Sequence, residues 1–79
     1  MRDAKTVQDF AHLIEETRKK HKVRQQDLAD LAGVSCRFLS NLENGKATVE
    51  LGKVLAVLAS LGLEVKLASR DEKIVAHGR

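Results

Sequence analysis

Apolar residues recur along most of the chain at the spacing of helices that bury one face. Thr6 is followed three residues later by Asp9, an arrangement that caps the start of a helix. The apolar positions that follow fall at i, i+3, i+4 and i+7, namely Val7, Phe10, Ala11 and Ile14. This spacing predicts an amphipathic first helix that runs to about residue 20.

Two short helices joined by a tight turn are predicted next. Residues 25–32 form the first of them, and Gly33 ends it because glycine accepts the positive φ of a helix terminus. Ser35 is a favourable N-cap for the second helix, residues 36–43. An Asn-Gly pair at 44–45 ends this helix, since both residues tolerate the left-handed conformation.

A fourth helix is predicted over residues 50–60, and after it the pattern changes from helical to alternating. The apolar stripe of this helix is wide, which indicates that it covers the core and also meets another surface. Beyond Gly62, apolar and polar residues alternate over residues 63–67, as in a β-strand. A second short strand is predicted at residues 74–75.

The predicted strand needs a partner, because a lone strand leaves its backbone hydrogen-bonding groups unpaired. The same strand of a second copy would pair with it across a homodimer. The alternative is a local hairpin of residues 63–68 with residues 73–76. We favour the dimer, since a chain of 79 residues gains from burying more surface. Residues 1–62 are then the helical domain, and residues 63–79 are a C-terminal strand and tail that serve as the dimerisation element.

Charge adds a preference for a polyanionic partner. The net charge is +3, and positive residues are densest over residues 18–24. A second reading of this run is a solvated helix end, where cations complement the helix dipole. Both readings can hold at once.

Composition predicts a small cytoplasmic protein without a cofactor. A single cysteine, Cys36, and three scattered histidines form neither a disulfide nor a metal site. We see neither a signal peptide nor an apolar run of membrane-spanning length. We therefore expect a cytoplasmic location.

The two short helices meet the physical requirements of a helix-turn-helix. Ala29 is small where the helices cross, and Leu39 and Leu42 anchor the second helix from behind. The outward positions of that helix carry no acid and are Cys36, Arg37, Ser40, Asn41 and Asn44. In the major groove, arginine reads guanine and asparagine reads adenine through paired hydrogen bonds worth about 1–3 kcal/mol each. Glu43 is expected to face inward or toward a basic partner.

From residue 23 to residue 65 the chain resembles the Xre/Cro/cI-type helix-turn-helix family. The residues that carry the resemblance are Gln25, Leu28-Ala29, Ala32-Gly33-Val34-Ser35, Leu39-Ser40 and Leu42-Glu43-Asn44-Gly45 before Lys46. The terminal strand makes the chain similar to HipB-like antitoxins within that family. The resemblance implies an all-α, lambda-repressor-like bundle of four to five helices, with a C-terminal β-strand that pairs across a dimer. It also implies a repressor that autoregulates its operon and binds and neutralises a HipA-type kinase toxin.

The resemblance further implies roles for single residues. The base-reading positions would be Ser35, Cys36, Arg37, Ser40 and Asn41. The phosphate contacts would be Arg18, Arg24, Gln25, Asn44 and Lys46. Apart from the resemblance, the wide stripe and the strand predict a dimer contact through Val57, Leu61, Leu63, Val65 and Leu67. Position 24 departs from the family, which usually has Thr or Ser there, so we expect a looser start to the second helix.

Two other functions stay open at this stage. The chain could be a stand-alone, phage-like Xre-family regulator with no toxin partner, or a protein-interaction module that uses this fold without DNA. The second alternative is disfavoured because the outer helix presents Arg37 and Asn41 rather than an apolar groove. An enzyme is disfavoured because Ser, His and acidic residues stand in no catalytic arrangement and the chain has no glycine-rich phosphate loop.

Overall fold

The computed structural model describes residues 3–69, and these fold into four α-helices. The helices are α1 (Val7–Lys20), α2 (Gln25–Ala32), α3 (Cys36–Glu43) and α4 (Leu51–Ser60). α2 packs against both α3 and α4, and α1 packs against α3. The all-α fold with a helix-turn-helix is therefore confirmed. None of the helices in residues 3–69 is long and apolar enough to cross a membrane.

A capping box fixes the start of α1, as predicted. The hydroxyl of Thr6 accepts a hydrogen bond from the N–H of Asp9 at 3.0 Å. The carboxylate of Asp9 accepts in return from the N–H of Thr6 at 3.1 Å and from the N–H of Lys5 at 2.8 Å. These bonds satisfy backbone donors that the first helical turn leaves unpaired.

The capping box gives Asp9 a pH dependence that can be measured. The N–H of Lys5, assisted by that of Thr6, stabilises the carboxylate and lowers the pKa of Asp9 below its ordinary value of 3.8. Stability from this group is therefore present above pH 3.8 and is lost as the pH falls through the lower, folded pKa. An NMR titration of the carboxyl carbons should give Asp9 a midpoint below 3.8, and Thr6→Ala, which removes the smaller contribution of the Thr6 hydroxyl, should move it only part of the way back. A native midpoint at or above 3.8 would contradict the box.

The turn between α2 and α3 has the geometry that its sequence predicts. Gly33 ends α2 in the left-handed conformation with φ of 73°. The N–H of Val34 then donates to the carbonyl of Ala29 at 2.9 Å, which closes the helix end. The hydroxyl of Ser35 accepts from the N–H of Phe38 at 2.9 Å and caps α3. The crossing of the two helices is set within a few residues of this turn.

Two helix ends differ from the prediction. Asn44 keeps a φ of −86°, so only Gly45, with φ of 82°, adopts the left-handed conformation after α3. α1 itself ends at Lys20 as predicted, but the left-handed residue of its termination is Lys22, with φ of 59°, which the sequence did not single out. The start of α2 agrees with the prediction, since Arg24 makes no side-chain capping bond.

The hydrophobic core draws on all four helices. Its buried members are Ile14, Leu28, Ala29, Leu39, Leu42, Val54, Val57, Leu58 and Leu61. Val57 is 0 % exposed and Leu61 is 9 % exposed, so their predicted role as dimer contacts is wrong: they pack inside their own chain. Leu63 is half-buried against the same core. Val65 and Leu67 are exposed, at 45 % and 94 %.

The segment that follows α4 is neither helix nor strand over residues 63–69. A strand that pairs across a dimer needs a second copy to complete its hydrogen bonds. Residues 73–76, the other partner considered, lie outside the described residues. The strand therefore stays a prediction.

Candidate nucleic-acid interface

α3 separates a buried apolar side from an outward polar side. Leu39 and Leu42 are buried in the core, at 0 % and 4 % exposed. Arg37 is exposed, and Ser40 and Asn41 are half-buried. Among residues 3–69 Arg37 takes part in no ion pair, which leaves its guanidinium free to bind a ligand.

The first residues of α3 differ in how far they face outward. Ser35 is exposed while its hydroxyl caps the helix. Cys36 is a free thiol, half-buried and packed against the core, so its predicted base contact has less reach than that of Arg37. Phe38 also packs against the core, and the ammonium of Lys53 lies 5.5 Å from the centre of its ring.

A buried ion pair fixes the C-terminal end of α3. Nε of Arg18 donates to Oε2 of Glu43 at 2.7 Å, and Nη2 donates to Oε1 at 2.9 Å. Nη1 of Arg18 donates to the carbonyl of Val23 at 2.8 Å. The hydrogen bond with Glu43 raises the pKa of Arg18 above its ordinary value, so the guanidinium stays charged.

This pair corrects one prediction and confirms another. Arg18 is 8 % exposed and its guanidinium donates inside the protein, so the predicted phosphate contact from Arg18 is wrong. Glu43, also 8 % exposed, faces inward as expected. Arg18 acts instead as a link between α1, the turn after it and α3.

The other predicted phosphate contacts lie around the two ends of the motif. Nε2 of Gln25 donates to Oε1 of Glu43 at 3.0 Å, which ties the first residue of α2 to the last residue of α3. Arg24 is exposed and donates to Asp27 from Nε at 3.0 Å. Asn44 and Lys46 follow α3 and are exposed. The Gln25 bond therefore brings the residues at the start of α2 close to the residues that follow α3. The first group is Arg24 and Gln25, and the second is Asn44 and Lys46.

A shallow groove of about 200 Å³ runs between α3 and the loop after it, lined by residues that include Phe38, Asn41, Lys46 and Glu50. Within residues 3–69, no three His, Cys, Asp or Glu side chains come together as metal ligands would. The outer face of α3 is polar and carries the cation Arg37. It is therefore suited to bind an anionic partner that offers hydrogen-bonding groups.

Exposed apolar side chains were missed by sequence reasoning. Leu31 on α2 is 70 % exposed, and Leu51 and Leu55 on α4 are 64 % and 43 % exposed. Leu51 and Leu55 are four residues apart and thus share one helix face. The wide stripe on α4 was the signal that pointed to such a face, but it was assigned to the wrong residues.

Comparison with known proteins agrees with this geometry. The helix-turn-helix family HTH_3 matches residues 14–67. The uncharacterized HTH-type transcriptional regulator y4mF of Sinorhizobium fredii (strain NBRC 101917 / NGR234) is 42 % identical over 69 residues, which cover 87 % of this chain and 91 % of that protein. Two solved structures, a HipB–O4 20mer complex and a HipA–HipB–O2–O3 complex, share the fold with a TM-score of 0.80 and 22 % identity, over 90 % of this chain and 100 % of theirs. The chain belongs to the helix-turn-helix family of Xre-type transcriptional regulators.

Proposed function

We propose that this chain is a sequence-specific DNA-binding repressor whose α3 enters the major groove. The observation that carries the proposal is the outer face of α3, where Arg37 is exposed and unpaired among the described residues while Leu39 holds the opposite side in the core. An α-helix fits the major groove, and arginine and asparagine there discriminate guanine and adenine. Ser35, Cys36, Arg37, Ser40 and Asn41 are the proposed base-reading residues.

Phosphate contacts would position this helix. Arg24 and Gln25 stand at the start of α2, and Asn44 and Lys46 stand just after α3. The bond between Gln25 and Glu43 supports this assignment, because it fixes the spacing between the two groups. Such contacts set the orientation on the duplex and carry no base information themselves.

The repressor is proposed to act as a homodimer through the segment after α4. Val65 and Leu67 are exposed apolar residues on a sequence with strand periodicity. Pairing with the same segment of a second copy would bury both side chains and satisfy the backbone. A symmetric dimer would bind an inverted repeat with half-sites about 34 Å apart.

The finer proposal is that the repressor is the antitoxin of a HipBA-like module and neutralises a HipA-type kinase. The shared fold with HipB, which has been solved together with HipA, supports it. The relative that is 42 % identical is named as a transcriptional regulator, which fits either the antitoxin or a stand-alone regulator. Co-purification with a kinase-like protein encoded by the adjacent reading frame would support the antitoxin. Purification without one, under expression of both genes, would leave the stand-alone regulator.

Selection of bound duplexes from a random pool, at two salt concentrations, tests the repressor itself. We expect an inverted repeat to be enriched, with affinity that falls as salt rises because cations are released from phosphates. A single asymmetric half-site would contradict the dimer. A pool that shows no enrichment would contradict sequence-specific binding.

Arg37→Ala is expected to relax the selected sequence at one position in each half-site. The loss of a bidentate contact with guanine corresponds to about 1–3 kcal/mol of discrimination. Lys19→Ala is the matched control, since Lys19 is an exposed cation on α1 that pairs with Glu15. The control should leave every base preference unchanged. Equal base preferences for Arg37→Ala and the native protein would show that Arg37 does not read a base.

A further inference from the structure

Lys22 holds a backbone conformation that suits glycine. Its φ is 59°, and it is the one non-glycine residue of residues 3–69 with a positive φ. The N–H of Lys22 donates to the carbonyl of Lys19 at 3.0 Å, and the N–H of Val23 donates to the carbonyl of Arg18 at 3.1 Å. These two bonds form the left-handed termination of α1, a position where glycine is the usual residue. A Cβ atom at this position strains the backbone, so the turn itself disfavours a lysine. The presence of lysine here therefore indicates that its side chain has a role beyond the turn.

Among residues 3–69, Lys22 and Lys20 take part in no ion pair, whereas the other lysine and arginine residues of the basic run are paired; of the two, only Lys22 lies in the turn. In the basic run over residues 18–24, Arg18 pairs with Glu43 at 2.7 Å and Lys19 pairs with Glu15 at 3.2 Å. Arg24 pairs with an aspartate one turn along α2. Lys22 is exposed and takes part in no ion pair with the residues that the structure describes.

The turn that carries Lys22 lies beside the end of α3. One guanidinium, that of Arg18, reaches both the carbonyl of Val23 at 2.8 Å and the carboxylate of Glu43 at 2.7 Å. The carbonyl of Val23, the residue next to Lys22, is therefore separated from the carboxylate of Glu43, the last residue of α3, by the width of one guanidinium group. The same end of the molecule holds Gln25, which also bonds Glu43.

We propose that Lys22 binds a phosphate of the DNA backbone, and that the strained turn between α1 and α2 is a backbone-binding element beside the loop that follows α3. This inference rests on the proposed function. It assigns to Lys22 the phosphate contact that the buried Arg18 cannot make. Within the run over residues 18–24, Arg18 thus serves the fold, and Lys22 joins Arg24 among the proposed phosphate contacts.

The test measures binding to a duplex of unselected sequence, roughly 20 base pairs or two helical turns long, at several salt concentrations. Phosphate contacts do not depend on sequence, so no operator is needed. The slope of log K against log salt should fall by about 0.9 per protomer for Lys22→Gly and Lys22→Asn. Lys22→Arg should keep the native slope. Lys19→Gln, which removes the same charge from a paired lysine three residues away, should keep it too.

Lys22→Gly also separates binding from folding. Relief of the left-handed strain should raise the Tm by an amount on the order of 4 °C. Lys22→Gly should therefore be more stable than the native protein, while loss of the charge makes its affinity for DNA depend less on salt. A residue with a purely structural role would not change the salt slope. Native slopes for both Lys22→Gly and Lys22→Asn, or an equal fall for Lys19→Gln, would overturn the assignment. A native protein that binds no duplex at all would instead reject the proposed function, together with this inference.

Discussion

Glu43→Leu is expected to lower the free energy of unfolding by about 3–5 kcal/mol, because it leaves the guanidinium of Arg18 buried without its partner. The two side chains are only 10 % and 2 % exposed and are joined at 2.7 Å, so solvent cannot replace the lost carboxylate. The hydrogen bond raises the pKa of Arg18 above its ordinary value, so this stabilisation is fully present at every pH below that value and is lost only as the pH rises through the folded pKa. Urea unfolding near neutral pH therefore measures the whole effect.

Two further variants separate the ion pair from general damage to the fold. Arg18→Met combined with Glu43→Leu removes both charges and should recover most of the stability, since an apolar pair of similar volume is often neutral or better. Arg24→Met removes an exposed pair with Asp27, in which the side chains are 83 % and 51 % exposed, and should cost no more than about 1 kcal/mol. A Glu43→Leu variant no less stable than Arg24→Met would show that the buried pair does not hold α3.

Leu39→Ala is expected to destabilise the chain by about 2–5 kcal/mol. Leu39 is 0 % exposed on the inner side of α3, so its truncation removes apolar contacts and leaves a cavity under this helix. The measurement is the midpoint of urea unfolding at an unchanged slope. The affinity for DNA should also fall under conditions where a fraction of the molecules is unfolded, because only the folded chain presents α3.

Leu31→Ala is the matched control for this truncation. Leu31 lies on the neighbouring helix α2 and is 70 % exposed, so the same change should stay within about 0.5 kcal/mol. Leu39→Met tests the packing without a cavity and should cost less than about 1.5 kcal/mol. Equal unfolding midpoints for Leu39→Ala and Leu31→Ala would contradict the assignment of Leu39 to the core.

The sequence predicted the features that local chemistry determines. Thr6 with Asp9 and Ser35 cap helices through bonds three residues away, and Gly33 ends α2 through its own backbone freedom. The helical period then divides α3, with Leu39 on the inner side and Arg37 on the outer side. Each of these features depends on residues within one or two turns of one another.

Features that depend on distant partners were not predicted. Arg18 follows Ile14 by one helical turn and thus lies on the buried face, but a basic residue is ordinarily placed at the surface. Its partner Glu43 is 25 residues away, and a sequence pattern does not reveal that pairing. Likewise, the stripe on α4 could not show that Val57 is covered by its own chain while Leu55 stays exposed, because that depends on where α2 packs.

The measurement that tests the central claim most directly is an NMR titration of labelled protein with the duplex enriched in the selection. If the outer face of α3 reads bases, the side-chain Nε–H of Arg37 and the Nδ2–H₂ of Asn41 should shift the most, and Arg37→Ala should weaken binding to that duplex. Shifts confined to the exposed face of α4 around Leu51 and Leu55, with Arg37 and Asn41 unchanged, would contradict the claim.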